Sequence, residues 1–340
     1  MKIAAITPNR KHDALAAVII EGIYDCGIDL IASDPGNGVK EEDVKNEDEF
    51  VRIAKDADYV WVLWGKGPDK RRPQDRYSHP RYHLLDKINR PEVTSYIDGS
   101  EWTSTGHPDD YSFVQNPWDP ARRITKQAYE AKIDSSRYRG TPWVNTDIIE
   151  KCRWYFKREC YPEDTLLGII PLNFGAEKRF FREETSNKKD IDILCSFGQT
   201  YTGLRDEIQK SCEKLKDEGY NVVINGRLNH QDYLAHMSRS HISIDAWGGG
   251  NNCMRMWEVM ANKACCFTQR MDVLFPNKPT DGYHYVEYST AEEFEKKIRY
   301  YLKHKDLCLQ IGERAHDLVK SFHTGKSRVE YMLDIIKGTK

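Results

Sequence analysis

One stretch of the sequence, residues 241–268, constrains the fold more than any other. It begins with an extended run that contains Ile242, Ile244 and Ala246, and three consecutive glycines at 248–250 bring this run to an end. An almost wholly apolar segment then continues to about Asn262, with the composition of a buried helix. A short apolar strand follows at 264–268. The order strand, glycine turn, helix, strand predicts a parallel βαβ unit, whose ligands lie beyond the carboxyl end of the first strand.

The predicted helix carries one narrow polar stripe. Arg255, Glu258 and Asn262 have i, i+3, i+7 spacing and therefore share one face. Asn251 or Asn252 precedes the helix and can cap its free amides. The stripe faces either solvent, with an Arg255–Glu258 ion pair, or a polar cleft. In the cleft interpretation, Arg255 and the free amides hold a phosphate, and Glu258 accepts hydrogen bonds from sugar hydroxyls.

Residues 247–268 resemble the donor-binding core of group 1 glycosyltransferases, which have the two-domain GT-B fold. The motif Arg255-Met-Trp-Glu258-Val-Met-Ala is similar to the Arg-x-x-Glu pattern of the spore-maturation-like branch. The resemblance extends over about residues 150–335. It implies that Glu258 binds the ribose of a nucleotide-sugar, while the preceding turn and helix end hold its diphosphate. Many group 1 enzymes have a second glutamate eight residues earlier, where this chain has Gly250.

Composition argues against several classes of protein. A chain of 340 residues favours two domains, and its net charge of −2 gives no general attraction to nucleic acid or anionic lipid. The nine cysteines are scattered and form no CxxC pair, which indicates reduced thiols rather than zinc ligands or disulfides. Since the sequence has neither a signal peptide nor an apolar run of about 18 residues, we expect a cytoplasmic protein with no membrane span.

The first third of the chain alternates strands with amphipathic helices. Apolar strands are predicted at 2–7, 28–32 and 59–64, with helices at 13–26 and 47–57 between them. This order predicts a parallel sheet covered by helices on both faces, the doubly wound α/β class. No GxGxxG motif follows the first strand, so a dinucleotide-binding fingerprint is missing.

Two loops in this half of the chain are candidates for contact with an acceptor. Residues 66–81 are basic and form either a solvated loop or a lip over the acceptor. A strand at 91–98 ends in Asp98-Gly-Ser-Glu101. Either carboxylate could act as general base on an acceptor hydroxyl, or the segment could simply be a solvated turn. His107 is a second candidate for the base.

A polar segment at 182–190 is the best linker in the chain, and a second set of alternating strands and helices follows it. Arg205 falls in the first turn of a helix, where a cation opposes the helix dipole. It is therefore either exposed to solvent or placed to meet an anion. The resemblance implies that Gly198 and Arg205 face the donor phosphates. It also implies that Gly226 and Arg227 lie near the nucleobase.

We therefore expect two Rossmann-like domains that face a cleft, as in the GT-B fold. An acceptor-side domain is predicted at 1–175 and a nucleotide-sugar-binding domain at 190–325, with a C-terminal helix at 326–340 that crosses back to the first domain. The candidate catalytic residues are Asp98, Glu101 and His107. The candidate donor-binding residues are Gly198, Arg205, Gly226, Arg227, Trp247, Gly248, Gly249, Asn251, Asn252, Arg255 and Glu258.

The function implied by the resemblance is glycosyl transfer from a nucleotide-sugar, with a UDP-sugar expected as the co-substrate. The acceptor is open: a glycan, a small molecule or a modified nucleic acid. No metal and no cofactor other than the donor is expected. Two alternatives remain, a non-catalytic nucleotide- or sugar-binding protein of the same fold and a glycosyltransferase that acts on modified DNA.

Overall fold

The computed structural model of the chain describes residues 1–8, 12–64, 82–99, 151–182, 188–197, 204–226, 228–247 and 252–339. Within these ranges the chain forms two parallel β-sheets flanked by helices. The doubly wound α/β class expected from the alternation of strands and helices is thus confirmed. No helix among the described residues is long and apolar enough to cross a membrane.

The first sheet has six parallel strands. They are β1 (Lys2–Ile6), β2 (Asp29–Ala32), β3 (Tyr59–Trp64), β4 (Thr94–Asp98), β5 (Trp154–Lys157) and β6 (Ile169–Pro171), and they lie in the order β2-β1-β3-β4-β5-β6. Among the described residues, the helices of this half are α1 (Ala14–Asp25), α2 (Glu47–Ala54) and α3 (Tyr82–Ile88). The strand expected at 91–98 is shorter than predicted, because Pro91–Val93 forms a 3₁₀ turn before β4.

The second sheet has five parallel strands. They are β7 (Ile191–Ser196), β8 (Val222–Asn225), β9 (Ser240–Asp245), β10 (Cys265–Gln269) and β11 (Val286–Tyr288), in the order β11-β10-β9-β7-β8. The helices of this half are α4 (Leu204–Asp217), α5 (His230–Arg239), α6 (Met254–Ala261), α7 (Ala291–Lys303), α8 (Lys305–Phe322) and α9 (Gly325–Lys337). The βαβ unit predicted at 241–268 corresponds to β9, α6 and β10.

The last helix, α9, packs against α1 in the first half of the chain. The two backbones touch where Gly22 meets Gly325, because a Cβ added to Gly22 would lie 2.0 Å from the carbonyl oxygen of Gly325. Arg328 of α9 is fully buried and donates to the end of β6, at 3.1 Å to the Asn173 carbonyl and 2.7 Å to the Phe174 carbonyl. The exact domain boundaries stay a prediction.

Candidate active site

The strand order of the second sheet reverses between β7 and β9. These strands are neighbours, with β8 on the outer side of β7 and β10 on the outer side of β9. In open parallel sheets, ligands bind in the crevice beyond the carboxyl ends of the strands at such a reversal. Helix α4 follows β7 and helix α6 follows β9, so the N-termini of both helices border this crevice.

Two arginines meet at this crevice, one from each helix. The guanidinium carbons of Arg205 and Arg255 lie 5.1 Å and 5.3 Å from the ring centroid of Phe197, which follows β7. Both also donate to the carbonyl oxygen of Ala246, Arg205 Nη2 at 2.9 Å and Arg255 Nη1 at 3.3 Å. The structure therefore brings together two residues that lie fifty positions apart and that the sequence assigned to the donor phosphates.

Asp245, the last residue of β9, neutralises part of this positive charge. Its Oδ1 lies 3.3 Å from Arg255 Nη1, and its Oδ2 accepts a hydrogen bond of 3.0 Å from Thr268 Oγ1. Burial raises the pKa of Asp245 to about 6, although both arginines and the Thr268 hydrogen bond act to lower it. Sequence reasoning missed this residue, and its position three residues before Gly248, at the end of the predicted strand, was the available signal.

Three buried side-chain N–H groups lie around the connection between β9 and α6. None of the three has an acceptor among the described residues. They are Trp247 Nε1, Asn252 Nδ2 and Arg255 Nε. Trp247 is 5% exposed and Asn252 is 1% exposed, so solvent does not compensate for the missing partners. A buried donor left without an acceptor costs about 1–3 kcal/mol. Because all three groups are donors, a ligand rich in anionic oxygens would satisfy them together.

Helix α6 starts without a side-chain cap. Its N-cap residue is Cys253, which makes no capping hydrogen bond. The expectation that Asn252 caps the helix is therefore wrong, because Asn252 Oδ1 accepts instead from the Phe174 backbone N–H at 3.2 Å. Asn251, the other candidate cap, lies outside the described residues. The uncapped first turn leaves helix amides directed at the crevice, where an anion is stabilised.

The polar stripe of α6 does not face solvent. Glu258 is 7% exposed and Asn262 is fully buried, and the carboxylate of Glu258 lies 3.3 Å from His230 Nε2. Arg255, with 16% of its side chain exposed, is paired with Asp245 rather than held on a solvated surface. His230, the first residue of α5, was missed by sequence reasoning. Its only sequence signal is its place just after the Gly226–Arg227 turn.

Of the three predicted catalytic residues, one lies within the described part of the chain. Asp98 is fully buried at the end of β4, where its Oδ2 accepts a hydrogen bond of 2.8 Å from Tyr155 Oη and lies 3.4 Å from Lys157 Nζ. These contacts are typical of a structural carboxylate. Its assignment as a base stays a prediction, and Glu101 and His107 lie outside the described residues.

Several predicted donor-binding residues cannot be placed. Gly198, Arg227, Gly248, Gly249 and Asn251 lie outside the described residues, as does the 66–81 loop. Gly226 is placed at the end of β8, where its carbonyl accepts a hydrogen bond of 3.2 Å from Ser196 Oγ. In the described part of the chain, no group of three His, Cys, Asp or Glu side chains is arranged to hold a metal ion.

Solved structures of glycosyltransferases share this architecture. One is an alpha-glucosyltransferase in complex with UDP-glucose and DNA containing an abasic site, with a TM-score of 0.58, 10% identity and 99% of both chains covered. Another is HepE of Anabaena in complex with UDP-glucose, with a TM-score of 0.55, 8% identity, and 99% of this chain and all of that chain covered. A third is sucrose-phosphate synthase from Thermosynechococcus elongatus, with a TM-score of 0.53, 11% identity, and 100% and 99% covered.

The fold is therefore the two-domain GT-B fold, with the crevice of the second sheet in the position of a ligand site. Residues 178–334, which contain that crevice, match the model of the family described as glycosyl transferase-like. This match and the shared fold support the identification of the chain as a GT-B glycosyltransferase of the group 1 type. Its assignment to the spore-maturation-like branch is not confirmed and stays a prediction. No curated protein matches the sequence.

Proposed function

We propose that the chain transfers a glycosyl group from a UDP-sugar to the hydroxyl of an acceptor, without a metal ion. The observation that carries this proposal is the set of buried donors without acceptors around the start of α6, namely Trp247 Nε1, Asn252 Nδ2 and Arg255 Nε. A diphosphate supplies several anionic oxygens at one place, and helix N-termini favour such groups. The similar structures of HepE and the alpha-glucosyltransferase contain UDP or UDP-glucose, which supports uridine as the nucleoside.

The rest of the donor extends from this point along α6. The diphosphate lies against Arg205, Arg255 and the first-turn amides. The ribose lies one turn further along the helix, where Glu258 accepts from its hydroxyls. His230 contacts the same carboxylate at 3.3 Å, and it fixes the orientation in which Glu258 meets the ribose. Gly226, which follows β8, lies towards the nucleobase. Arg227 is assigned the same role and lies outside the described residues.

In the transfer step, the bond between the anomeric carbon and the diphosphate oxygen breaks, and its electron pair leaves with UDP. A new bond forms between the anomeric carbon and the acceptor oxygen, whose proton passes to a base or to solvent. Glu101 and His107 are the candidates for that base, together with Asp98. The two arginines stabilise the charge that develops on the leaving UDP, which is a preorganised electrostatic contribution.

Calorimetry with UDP, GDP, TDP and CMP tests the donor assignment, and release of UDP from UDP-glucose tests turnover. We expect UDP to bind at least about tenfold more tightly than the other nucleotides, a difference of about 1.4 kcal/mol. Binding of UDP with no release from UDP-glucose, even to water, would identify a non-catalytic binding protein. Absence of binding by all four nucleotides would refute the proposal.

A second candidate function is glycosylation of modified DNA. The observation in its favour is the similarity to alpha-glucosyltransferase structures that contain UDP and DNA, including DNA with an HMU base. A gel-shift assay at two salt concentrations tests it, because phosphate contacts release counterions and make binding salt-dependent. Salt-sensitive binding together with glucose transfer to hydroxymethylated DNA would support this function over a small-molecule acceptor.

We also propose a cytoplasmic location. All nine cysteines are described, and none of them forms a disulfide. Reduced thiols of this kind are typical of a compartment in which disulfides do not persist. Fractionation of cells that produce the protein, with probing of its thiols by alkylation, tests the location directly.

A further inference from the structure

The two residues that follow β5 of the first sheet, Arg158 and Glu159, lie against the start of α6 in the second half of the chain. Glu159 Oε1 accepts a hydrogen bond of 3.0 Å from the backbone N–H of Asn252 and lies 3.3 Å from Arg158 Nη2. All three residues are 1% exposed. Neither Arg158 nor Glu159 is among the predicted site residues, yet both are placed beside a residue to which we assign the donor.

Phe174 holds the same asparagine through its side chain. The Phe174 N–H donates to Asn252 Oδ1 at 3.2 Å, and the Phe174 carbonyl accepts from Arg328 Nη2 of α9 at 2.7 Å. The guanidinium carbon of Arg158 lies 4.4 Å from the centroid of the Phe174 ring. The contacts to the backbone and to the side chain of Asn252 therefore belong to one packed cluster.

These two contacts determine which way the amide of Asn252 faces. An N–H group can only donate, so the side-chain atom that faces Phe174 is the oxygen, and Nδ2 lies on the other side of the amide. Nδ2 is buried and has no acceptor among the described residues. A donor that is already fixed loses little conformational entropy when an anionic oxygen arrives, which favours binding.

The contact with Glu159 is the part of this arrangement that comes from a charged side chain. Removal of the acceptor at position 159 would leave the Asn252 N–H buried without this partner, at a cost in free energy. The residue could regain a hydrogen bond by turning, and such a turn would also displace Nδ2. The orientation of Nδ2 therefore depends on Glu159.

We propose that Glu159, supported by Arg158, is a positioning residue for the donor, which fixes Asn252 so that Nδ2 donates to an oxygen of the diphosphate. Glu159 acts through Asn252 and does not itself contact the donor. The proposal rests on the function proposed above and adds a residue of the first half of the chain to the donor site. It follows that donor affinity depends on the contact between the two halves.

Two double variants that differ only at residue 159 test the proposal. Both carry Arg158→Met. One adds Glu159→Gln, which can still accept from the Asn252 N–H, and the other adds Glu159→Leu, which cannot. Both should fold, because replacing a buried ion pair by residues of similar size often leaves stability unchanged. The melting temperature without UDP checks this for each variant.

Calorimetry with UDP compares the two double variants with wild type. Arg158→Met/Glu159→Gln should retain UDP affinity to within about threefold, whereas Arg158→Met/Glu159→Leu should bind at least about tenfold more weakly, the loss expected for one hydrogen bond to a charged group. Arg299→Met/Glu218→Gln is the matched control, because this Arg–Glu pair, at 2.7 Å, lies on the surface. It should bind UDP as wild type does.

The same pair of double variants in an Asn252→Ala background shows whether Glu159 acts through Asn252. Effects of residues that act through one another are not additive. Once Nδ2 is missing, the Gln and Leu variants should therefore bind UDP with affinities that differ by less than about threefold. An undiminished tenfold difference in this background would overturn the proposal, because Glu159 would then affect binding by another route.

Equal UDP affinities of the Gln and Leu variants with Asn252 intact would also overturn it. If the Leu variant does not fold, Glu159→Asp takes its place, since the shorter side chain keeps the charge but withdraws the oxygen from Asn252. The same loss of affinity is expected, and wild-type affinity in Glu159→Asp would contradict the proposal. Failure of wild type to bind UDP would refute the proposed function and this inference with it. Normal binding by wild type and all variants would refute this inference alone.

Discussion

The carboxylate of Glu159 accepts a hydrogen bond of 3.0 Å from the backbone N–H of Asn252, a residue 93 positions later in the chain. Glu159 follows β5 of the first sheet, and Asn252 lies just before α6 of the second. Both residues are 1% exposed, and Arg158 Nη2 lies 3.3 Å from the same carboxylate oxygen. The helix end to which we assign the diphosphate is therefore in direct contact with the first half of the molecule.

Arg255→Ala should lower turnover of a UDP-sugar by about 100-fold, on the scale of removing one preorganised donor from a developing anion. UDP affinity should fall as well, because Arg255 Nε has no acceptor among the described residues until the diphosphate binds. Arg270→Ala is the matched control, since Arg270 forms an exposed ion pair of 3.1 Å with Asp272. Initial rates of UDP release measure the effect, and near-normal rates in Arg255→Ala would exclude this role.

Glu258→Gln should weaken UDP binding by about tenfold or more, because a hydrogen bond to a charged group contributes about 1.5–3 kcal/mol. The melting temperature without ligand should change little. Glu313→Gln provides the control, as Glu313 is exposed and pairs with Lys263 at 2.9 Å. Calorimetry with UDP measures the change. Unchanged affinity would mean that Glu258 only holds His230 in place.

Asp98→Asn should reduce the stability of the first sheet, because Lys157 then remains buried without its carboxylate partner. Breaking a buried ion pair of this kind costs about 3–5 kcal/mol. Urea unfolding measures the free energy of unfolding, and UDP release measures turnover. Glu101→Gln and His107→Ala, compared in the same assays, should lower turnover with normal UDP affinity if either residue is the base. Unchanged stability with lost turnover in Asp98→Asn would make Asp98 the base instead.

Asp245 gives the protein a specific dependence of stability on pH. Its pKa is about 6 in the folded chain and 3.8 when unperturbed, so between these values the folded chain binds more protons than the unfolded chain. Its stabilising contribution is therefore complete below about pH 4 and is lost as the pH rises through about 6. Asp245→Asn should gain stability relative to wild type, by about 1–3 kcal/mol, between about pH 4.5 and pH 7.5.

Urea unfolding of both proteins at the two pH values measures this difference. Asp272→Asn is the control, because Asp272 is exposed and its partner Arg270 lies on the surface. A difference between wild type and Asp245→Asn that does not change with pH would show that Asp245 ionises normally in the folded chain.

Gly22→Ala should destabilise the contact between α1 and α9. The added Cβ would lie 2.0 Å from the Gly325 carbonyl oxygen and 2.8 Å from Val329 Cγ2, and such overpacking costs about 1–3 kcal/mol. Gly226→Ala should be tolerated, because nothing lies within 4 Å of a Cβ at that position. Thermal unfolding measures both. Equal melting temperatures for the two variants would mean that α9 moves away from α1 at little cost.

Local periodicity was sufficient to predict the fold class. Continuous apolar runs such as 59–64 identified buried parallel strands, and the order of strand, glycine turn, helix and strand over 241–268 identified the βαβ unit that borders the crevice. The strand order, which places β7 beside β9, is a long-range property that no local pattern contains. The local pattern therefore predicted a ligand beyond the carboxyl end of β9, and only the resemblance added the side of the crevice that follows β7, with Gly198 and Arg205.

The parts of the site that sequence reasoning missed all depend on partners distant in the chain. Asp245 becomes informative only when Arg205 and Arg255 are seen beside it, and His230 only through its contact with Glu258. Asn252 has the side chain of a helix cap, but Phe174 of the first half competes for its oxygen.

The backbone contact between Gly22 and Gly325 has a consequence for biosynthesis. The ribosome releases the strands of the first sheet long before it makes α9, yet α9 covers the surface of α1 around Gly22. During this interval, the surface of α1 around Gly22 remains open to water or to other chains, a state in which nascent proteins aggregate or bind chaperones. The first half of the protein therefore completes its packing only when translation has passed residue 337.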